Sequence, residues 1–211
     1  MTIIERIEKE LTDCEKLLIG IGEEWDKANA GDVQNLYEQM NRIIKDKDYF
    51  IVTTVTDGEL LKSNLNPKKM VAPCGNVTWR QCSKSCTKDI WEPGEIKNDI
   101  CPHCGEPLTG NTIDAEEYIE EGYLPQWNAY TRWLAGTLNK KLLILELGVG
   151  FRTPTVIRWP FEKTASVNKK AFLYRIHGSF AQLSESISEK AESVPENSVE
   201  FFRSFSSCFS L

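Results

Sequence analysis

Two close pairs of cysteines constrain this chain more than any other feature. The stretch reads Cys82-Ser-Lys-Ser-Cys86, then fourteen residues, then Cys101-Pro-His-Cys104. Brought together, two such pairs make a tetrahedral set of thiolates, the arrangement zinc takes in closed structural sites with sulfurs at roughly 2.3 Å. Gly105 and Pro107 follow where the backbone must turn tightly around a metal. The spacing predicts one zinc bound by Cys82, Cys86, Cys101 and Cys104; the alternatives are two disulfides or four free thiols. His103 lies inside the second pair. Four sulfurs already fill the shell, so it is expected to be an exposed bystander.

Composition narrows the classes. At 211 residues, the chain allows one domain, or one domain with a small insert. Hydrophobic residues make up 41%, enough for a core. With 25 Lys+Arg against 31 Asp+Glu the net charge is -6, which argues against general nucleic-acid binding. No apolar run approaches the ~20 residues of a membrane span. Residues 1–13 are charged and amphipathic, unlike the apolar core of a signal peptide. Cys14, Cys74 and Cys208 are scattered, which fits a reducing cytoplasm better than a disulfide scaffold.

Periodicity predicts the elements. Residues 2–15 and 33–45 read as amphipathic helices. Residues 17–22, Leu-Leu-Ile-Gly-Ile-Gly, read as a buried strand entering a glycine turn at Gly20 and Gly22. That turn fits either a dinucleotide or a chain-geometry requirement, and Glu23-Glu24 behind it would repel a pyrophosphate. Residues 48–54 form a second buried strand, and Met70-Val71-Ala72 a short third. Helix alternating with strand implies a parallel sheet with ligands at the carboxyl ends of its strands. Thr53 to Gly58 and Gly20 to Glu24 then share one rim. The acidic stretch 114–126 reads as a solvated helix or loop. Residues 125–138 read as a helix with Trp127, Tyr130, Trp133, Leu134 and Leu138 on its apolar face.

Residues 141–147 are the clearest strand. Gly148-Val-Gly150 follows, and Thr153-Pro154 is expected to cap and open a helix carrying Val156 and Ile157. The Gly148 and Gly150 amides and the Thr153 hydroxyl would hold a phosphate or ribose, or belong to an ordinary capped crossover. Residues 171–176 read as the last strand and 181–191 as a closing helix. In the tail, Phe201, Phe202, Phe205 and Phe209 are expected to pack back or to meet a partner.

Several segments carry a resemblance: Tyr49-Phe-Ile-Val-Thr-Thr-Val-Thr-Asp-Gly58, the Cys74-Gly-Asn76 turn, Trp79-Arg-Gln-Cys-Ser-Lys84, the cysteine module, Glu146-Leu-Gly-Val-Gly-Phe-Arg-Thr-Pro154 and Trp159-Pro-Phe161. Together they resemble the sirtuins, which use NAD for deacylation or ADP-ribosyl transfer, and above all the microbial macrodomain-linked branch that ADP-ribosylates proteins. The likeness spans roughly residues 10–180. It implies an NAD or ADP-ribose site at Gly20, Gly22, Thr53, Gly148, Gly150 and Thr153. It also puts Val55 where the family has a ribose-holding Asn, with Asp57 kept, and Cys74 where it has His or Gln. Val accepts no proton, and Cys would serve as a base only as a thiolate. The stretch between Gly22 and Tyr49 is far shorter than the family's lid and small domain.

The expected fold is α/β, a Rossmann-like parallel sheet over residues 1–75 and 113–211 with a zinc-ribbon insert at 76–112. The expected function is a catalytically degenerate sirtuin-like protein, a pseudoenzyme that binds structural zinc and retains a place for NAD or an ADP-ribose-type nucleotide. Two alternatives stand beside it. One is an active NAD-dependent ADP-ribosyltransferase or deacylase using Cys74 and Asp57. The other is a zinc-stabilised module that binds a protein partner.

Overall fold

The computed structural model describes residues 1–209. The first helix, α1 (Ile3–Asp13), starts on a capping box in which Thr2 and Glu5 satisfy each other's amides. Next come β1 (Lys16–Ile21), a 3-10 turn at Glu23–Trp25, α2 (Lys27–Ala30), α3 (Val33–Ile44) and β2 (Tyr49–Thr53). After α4 (Glu59–Lys62) and β3 (Met70–Val71), β4 (Gly75–Cys82) and β5 (Leu108–Thr112) flank the cysteine module. The chain then forms α5 (Leu124–Ala135), β6 (Leu142–Leu147), α6 (Arg158–Val167), β7 (Ala171–Ile176), β8 (Ala191–Val194) and α7 (Ser198–Ser207).

Six strands form one parallel sheet in the order β3-β2-β1-β6-β7-β8. Its central strands are mostly apolar because helices cover both faces, with Glu146 of β6 and Arg175 of β7 as a buried, paired exception. Side chains alternate between those faces. Leu17, Ile19 and Ile21 of β1 meet Leu143, Leu145 and Leu147 of β6 in the core beneath α1, α3 and α7. Leu18 and Ile144 point to the other face, with Ile157, Phe161 and Tyr130. Gly20 also faces that side, where a Cβ would lie 2.6 Å from Ile157 and 2.8 Å from Phe161. It is there so that α6 can press onto β1.

The cysteine module hangs from a separate two-stranded antiparallel ribbon, β4 with β5. Its base is tied by side-chain amides. Asn111 donates to Gln81 Oε1 at 2.7 Å and to the Ile119 carbonyl at 2.8 Å, while Gln81 donates to the Glu117 carbonyl at 2.6 Å. Residues 114–123 are thereby held as an ordered loop, with Tyr118 donating to the Pro73 carbonyl at 3.0 Å. No helix among the described residues is long and apolar enough to cross a membrane.

Four expectations are corrected. The helix expected at Thr153-Pro154 begins at Arg158, and residues 151–157 are turns. The Arg158 guanidinium is drawn inward to the carbonyls of Val149, Phe180 and Gln182, and these tertiary bonds outrank the local Thr-Pro cap. The closing helix expected at 181–191 is instead a 3-10 turn at Glu185–Ile187 leading into β8. Consequently β7 is not the last strand: Leu173 to Ile176 pair with Ala191 to Val194, which satisfies an edge that a helix would leave open. Leu138 lies beyond the end of α5 and is 56% exposed. Between the two destinations considered for the aromatic tail, Phe201, Phe202 and Phe205 pack back, with Phe202 edge-on to Trp25 at 5.1 Å; Phe209 stays 44% exposed.

Candidate functional site

The carboxyl ends of β1, β6 and β7 line up on one rim, where a parallel sheet presents ligands. Two of the turns there abut. A Cβ on Gly22 would lie 2.3 Å from Val149 Cα, and one on Gly148, whose φ is +64°, would lie 2.5 Å from Glu24 Cβ. Both glycines are required for the chain to close on itself, whatever binds nearby.

Glu23 and Glu24 accept from backbone amides at this rim. Glu23 Oε2 accepts from the Gly150 amide at 2.7 Å. Glu24 Oε1 accepts from Gly178 N at 2.9 Å, and its Oε2 accepts from Ser198 N at the start of α7 at 2.7 Å. The Gly148 amide is also engaged, donating to the Ile176 carbonyl at 2.8 Å. Carboxylates on backbone amides make strong hydrogen bonds, so these four amides are satisfied from within the chain.

Next to this plug is a cleft of about 660 Å³ lined by Glu23, Asn29, Phe151, Arg152, His177 and Phe180 among others. His177 Nδ1 accepts from the amides of Ser179 and Phe180 at 3.0 and 3.1 Å. Its lone pair is therefore in use and the proton resides on Nε2. Burial pushes the imidazole down from its ordinary value, Glu24 opposes this, and Arg158 and Arg175 reinforce it. The 3.3 Å approach of Glu24 to Nδ1 is thus contact with a neutral ring rather than an ion pair.

Beneath the rim lies a buried ionic lattice. Arg175 grips Glu146 with two nitrogens, at 2.6 and 2.9 Å, and reaches Glu162 at 2.6 Å. Arg158 lies 3.6 Å from Glu146 and stacks under the Phe151 ring at 4.1 Å. Two arginines balance two glutamates, and backbone carbonyls take the remaining donors.

The residues expected to do chemistry are distributed differently. Cys74 is buried, with its sulfur 3.8 Å from Thr153 Oγ1. Burial pushes the thiol up, Thr153 and Arg152 pull it down, and Glu23 and Asp114 push it up again; the net direction is upward. Arg152 clasps both Asp114 oxygens, at 2.7 and 2.8 Å, close to that thiol. Asp57 accepts from the amides of Lys27 and Glu59 at 2.8 and 2.9 Å, so it joins the starts of α2 and α4. No hydrogen bond or ion pair joins Asp57 to Cys74 among the described residues. Thr53 Oγ1 donates to the Ile21 carbonyl at 3.1 Å and accepts from Val55 N at 3.0 Å. Val55 itself belongs to the core.

The four cysteines meet. Their sulfurs lie within 4.8 Å of one another, with Cys82–Cys104 and Cys86–Cys101 each at 3.5 Å. A disulfide needs about 2.05 Å, whereas sulfurs roughly 2.3 Å from one zinc stand about 3.8 Å apart. The spacing suits a shared metal ion. Amides of Cys86 and Lys84 hold the Cys82 thiol down to about 6, whereas Cys104 and the other neighbouring sulfurs push Cys86 up. His103 stays outside, 2.8 Å from Asp89.

Sequence reasoning missed His177, Ser198 and the Arg158, Arg175, Glu146 and Glu162 lattice. One available signal was position: His177 directly follows β7, as Gly148 follows β6 and Gly22 follows β1.

No protein-family model matches the chain. A protein ADP-ribosyltransferase of Staphylococcus aureus (strain Mu50 / ATCC 700699) is 22% identical over 179 residues, 76% of this chain and 57% of that protein. A probable bifunctional ADP-ribose hydrolase/ADP-ribosyltransferase of Fusarium oxysporum f. sp. cubense is 29% identical over 145 residues, 55% of this chain and 23% of that protein. The chain thus spans at most 57% of the length of these relatives. A Sir2 sirtuin bound to a propionylated peptide superposes with a TM-score of 0.65 at 11% identity, covering 96% of this chain and 97% of that one. A Sir2 homologue mutant in complex with ADP-ribose gives 0.63 at 11% identity, covering 98% of each. The fold is that of the Sir2 sirtuins.

Proposed function

We propose that this is a sirtuin-like protein with one structural zinc and no turnover of NAD, whose rim cleft keeps a place for part of a nucleotide. One observation carries this reading: Glu23 and Glu24 hold the amides of Gly150, Gly178 and Ser198. A pyrophosphate would have to displace two carboxylates and then lie against them, which costs both hydrogen bonds and like-charge repulsion. Cys74 supports it, since a buried thiol with a raised pKa is a poor base at neutral pH. So does Val55, which offers no polar side chain. Zinc at Cys82, Cys86, Cys101 and Cys104 is supported by the sulfur spacing, and a reducing, cytoplasmic setting by the scatter of Cys14, Cys74 and Cys208 along the sequence.

A second reading is favoured by the relatives, both described as ADP-ribosyltransferases. In it Glu23 swings out, NAD enters, and Cys74 with Asp57 takes altered roles. The two readings separate on nicotinamide release from NAD by the zinc-loaded chain, with and without protein acceptors. The expected result is no release above buffer. Release that disappears in Cys74→Ala would overturn the proposal and establish the enzyme.

A further inference from the structure

We infer that the rim cleft is built for an uncharged nucleoside, a base and ribose without phosphate. This rests on the reading above and specifies its ligand. The chain supplies its own anions. Glu23 and Glu24 accept from three backbone amides at this rim. What remains unused is a different set of groups. His177 has a side chain only 9% exposed, and its Nδ1 is committed to two amides. Its Nε2–H forms no hydrogen bond among the described residues, and the ring lines the cleft. This donor opens onto the cleft, where solvent or a ligand accepts from it. An uncharged hydroxyl or a ring nitrogen accepts there without approaching the carboxylates as an anion.

The other free groups fit the same ligand. Glu23 uses Oε2 for Gly150, which leaves Oε1 to accept from a sugar diol, as acidic residues do for ribose hydroxyls. Phe151 and Phe180 meet edge-to-face at 5.5 Å and stay 49% and 41% exposed, so the cleft has aromatic walls for a base. Arg152, the one cation lining the cleft among the described residues, spends two hydrogen bonds on Asp114, which reduces its call on a phosphate. The volume of about 660 Å³ is within the range of small-molecule clefts.

Calorimetric titration of the zinc-loaded full chain with adenosine, AMP and ADP-ribose tests this. Adenosine should bind, with AMP and ADP-ribose each at least tenfold weaker. In Glu23→Ala the Gly150 amide is released, and the AMP-to-adenosine affinity ratio should rise about tenfold. In Phe180→Ala, at a position 41% exposed, adenosine should weaken about tenfold. Unchanged far-ultraviolet circular dichroism and melting of both variants guard against misfolding. AMP or ADP-ribose binding as tightly as adenosine, no adenosine binding at millimolar concentration, or no response to Phe180→Ala would each overturn the inference. Failure here without nicotinamide release sinks only the nucleoside assignment, whereas nicotinamide release sinks the reading beneath it.

Discussion

The cysteine module and the rim cleft are both small constellations of charged or polar groups, but they are held in opposite ways. The module draws its candidate ligands from 23 consecutive positions, Cys82 to Cys104, at the end of β4 and in the segment that joins it to β5. Its order depends on what the sulfurs share. The cleft gathers groups separated by 127, 154 and 174 positions, and each is fixed by a hydrogen bond to a turn or helix start that follows a different strand. A local site is stabilised by its ligand; a distributed site is stabilised by the fold itself. The module should therefore fail when its ligand is lost while the sheet survives. The cleft should resist ligand loss but yield to changes in the core beneath it.

The largest effect tests the first half of that contrast. Cys101→Ser should drop zinc from one per chain to near zero by elemental analysis and unfold residues 76–112 as a unit. Apparent zinc binding of about 10–16 kcal/mol is local folding energy in such modules. Proteolysis should then cut within the module while the parallel sheet stays intact. A global loss of circular dichroism would show that the two regions are not separable.

The second test strikes beneath the cleft. Glu146→Gln leaves Arg175 and Arg158 buried with one carboxylate between them, and should cost about 3–5 kcal/mol in urea denaturation. Glu146→Gln with Arg175→Met should recover part of that loss. If the single variant is within 1 kcal/mol of the parent, the lattice is not what stiffens the rim.

Gly22→Ala should cost roughly 1–3 kcal/mol or more, because its Cβ would meet backbone atoms that cannot rotate away. Zinc content should be unchanged, which separates the two regions from the other side. Thermal melting with parallel metal analysis reads both.

The smallest effect is a pH slope. Gln34 and Lys62 hold the Glu59 carboxyl down from 4.5 to about 2. A lowered folded value means that this contribution is complete above 4.5 and is lost as pH falls through about 2. Glu59→Gln should flatten stability between those values without touching either site. An unchanged slope would place the acid sensitivity elsewhere.

The sequence by itself determined the helices at 3–13 and 33–44, the parallel strands at 16–21, 49–53 and 142–147, and the cysteine set. Apolar periodicity and short ligand spacings are written within one turn, one strand or one knuckle, so neighbours in the chain are enough to read them. Only the tertiary structure decided that residues 191–194 form a strand, that α6 starts at Arg158, and that Glu23 and Glu24 cap distant amides. Those outcomes depend on which unpaired backbone groups the fold leaves open. Ala181 to Ala191 carries an adequate helical pattern, yet the free edge of β7 takes its last residue into the sheet. Glu23-Glu24 read as a pair that repels anions; folded, the same charges serve as the anions, because the strand ends bring three amides within 2.9 Å of them.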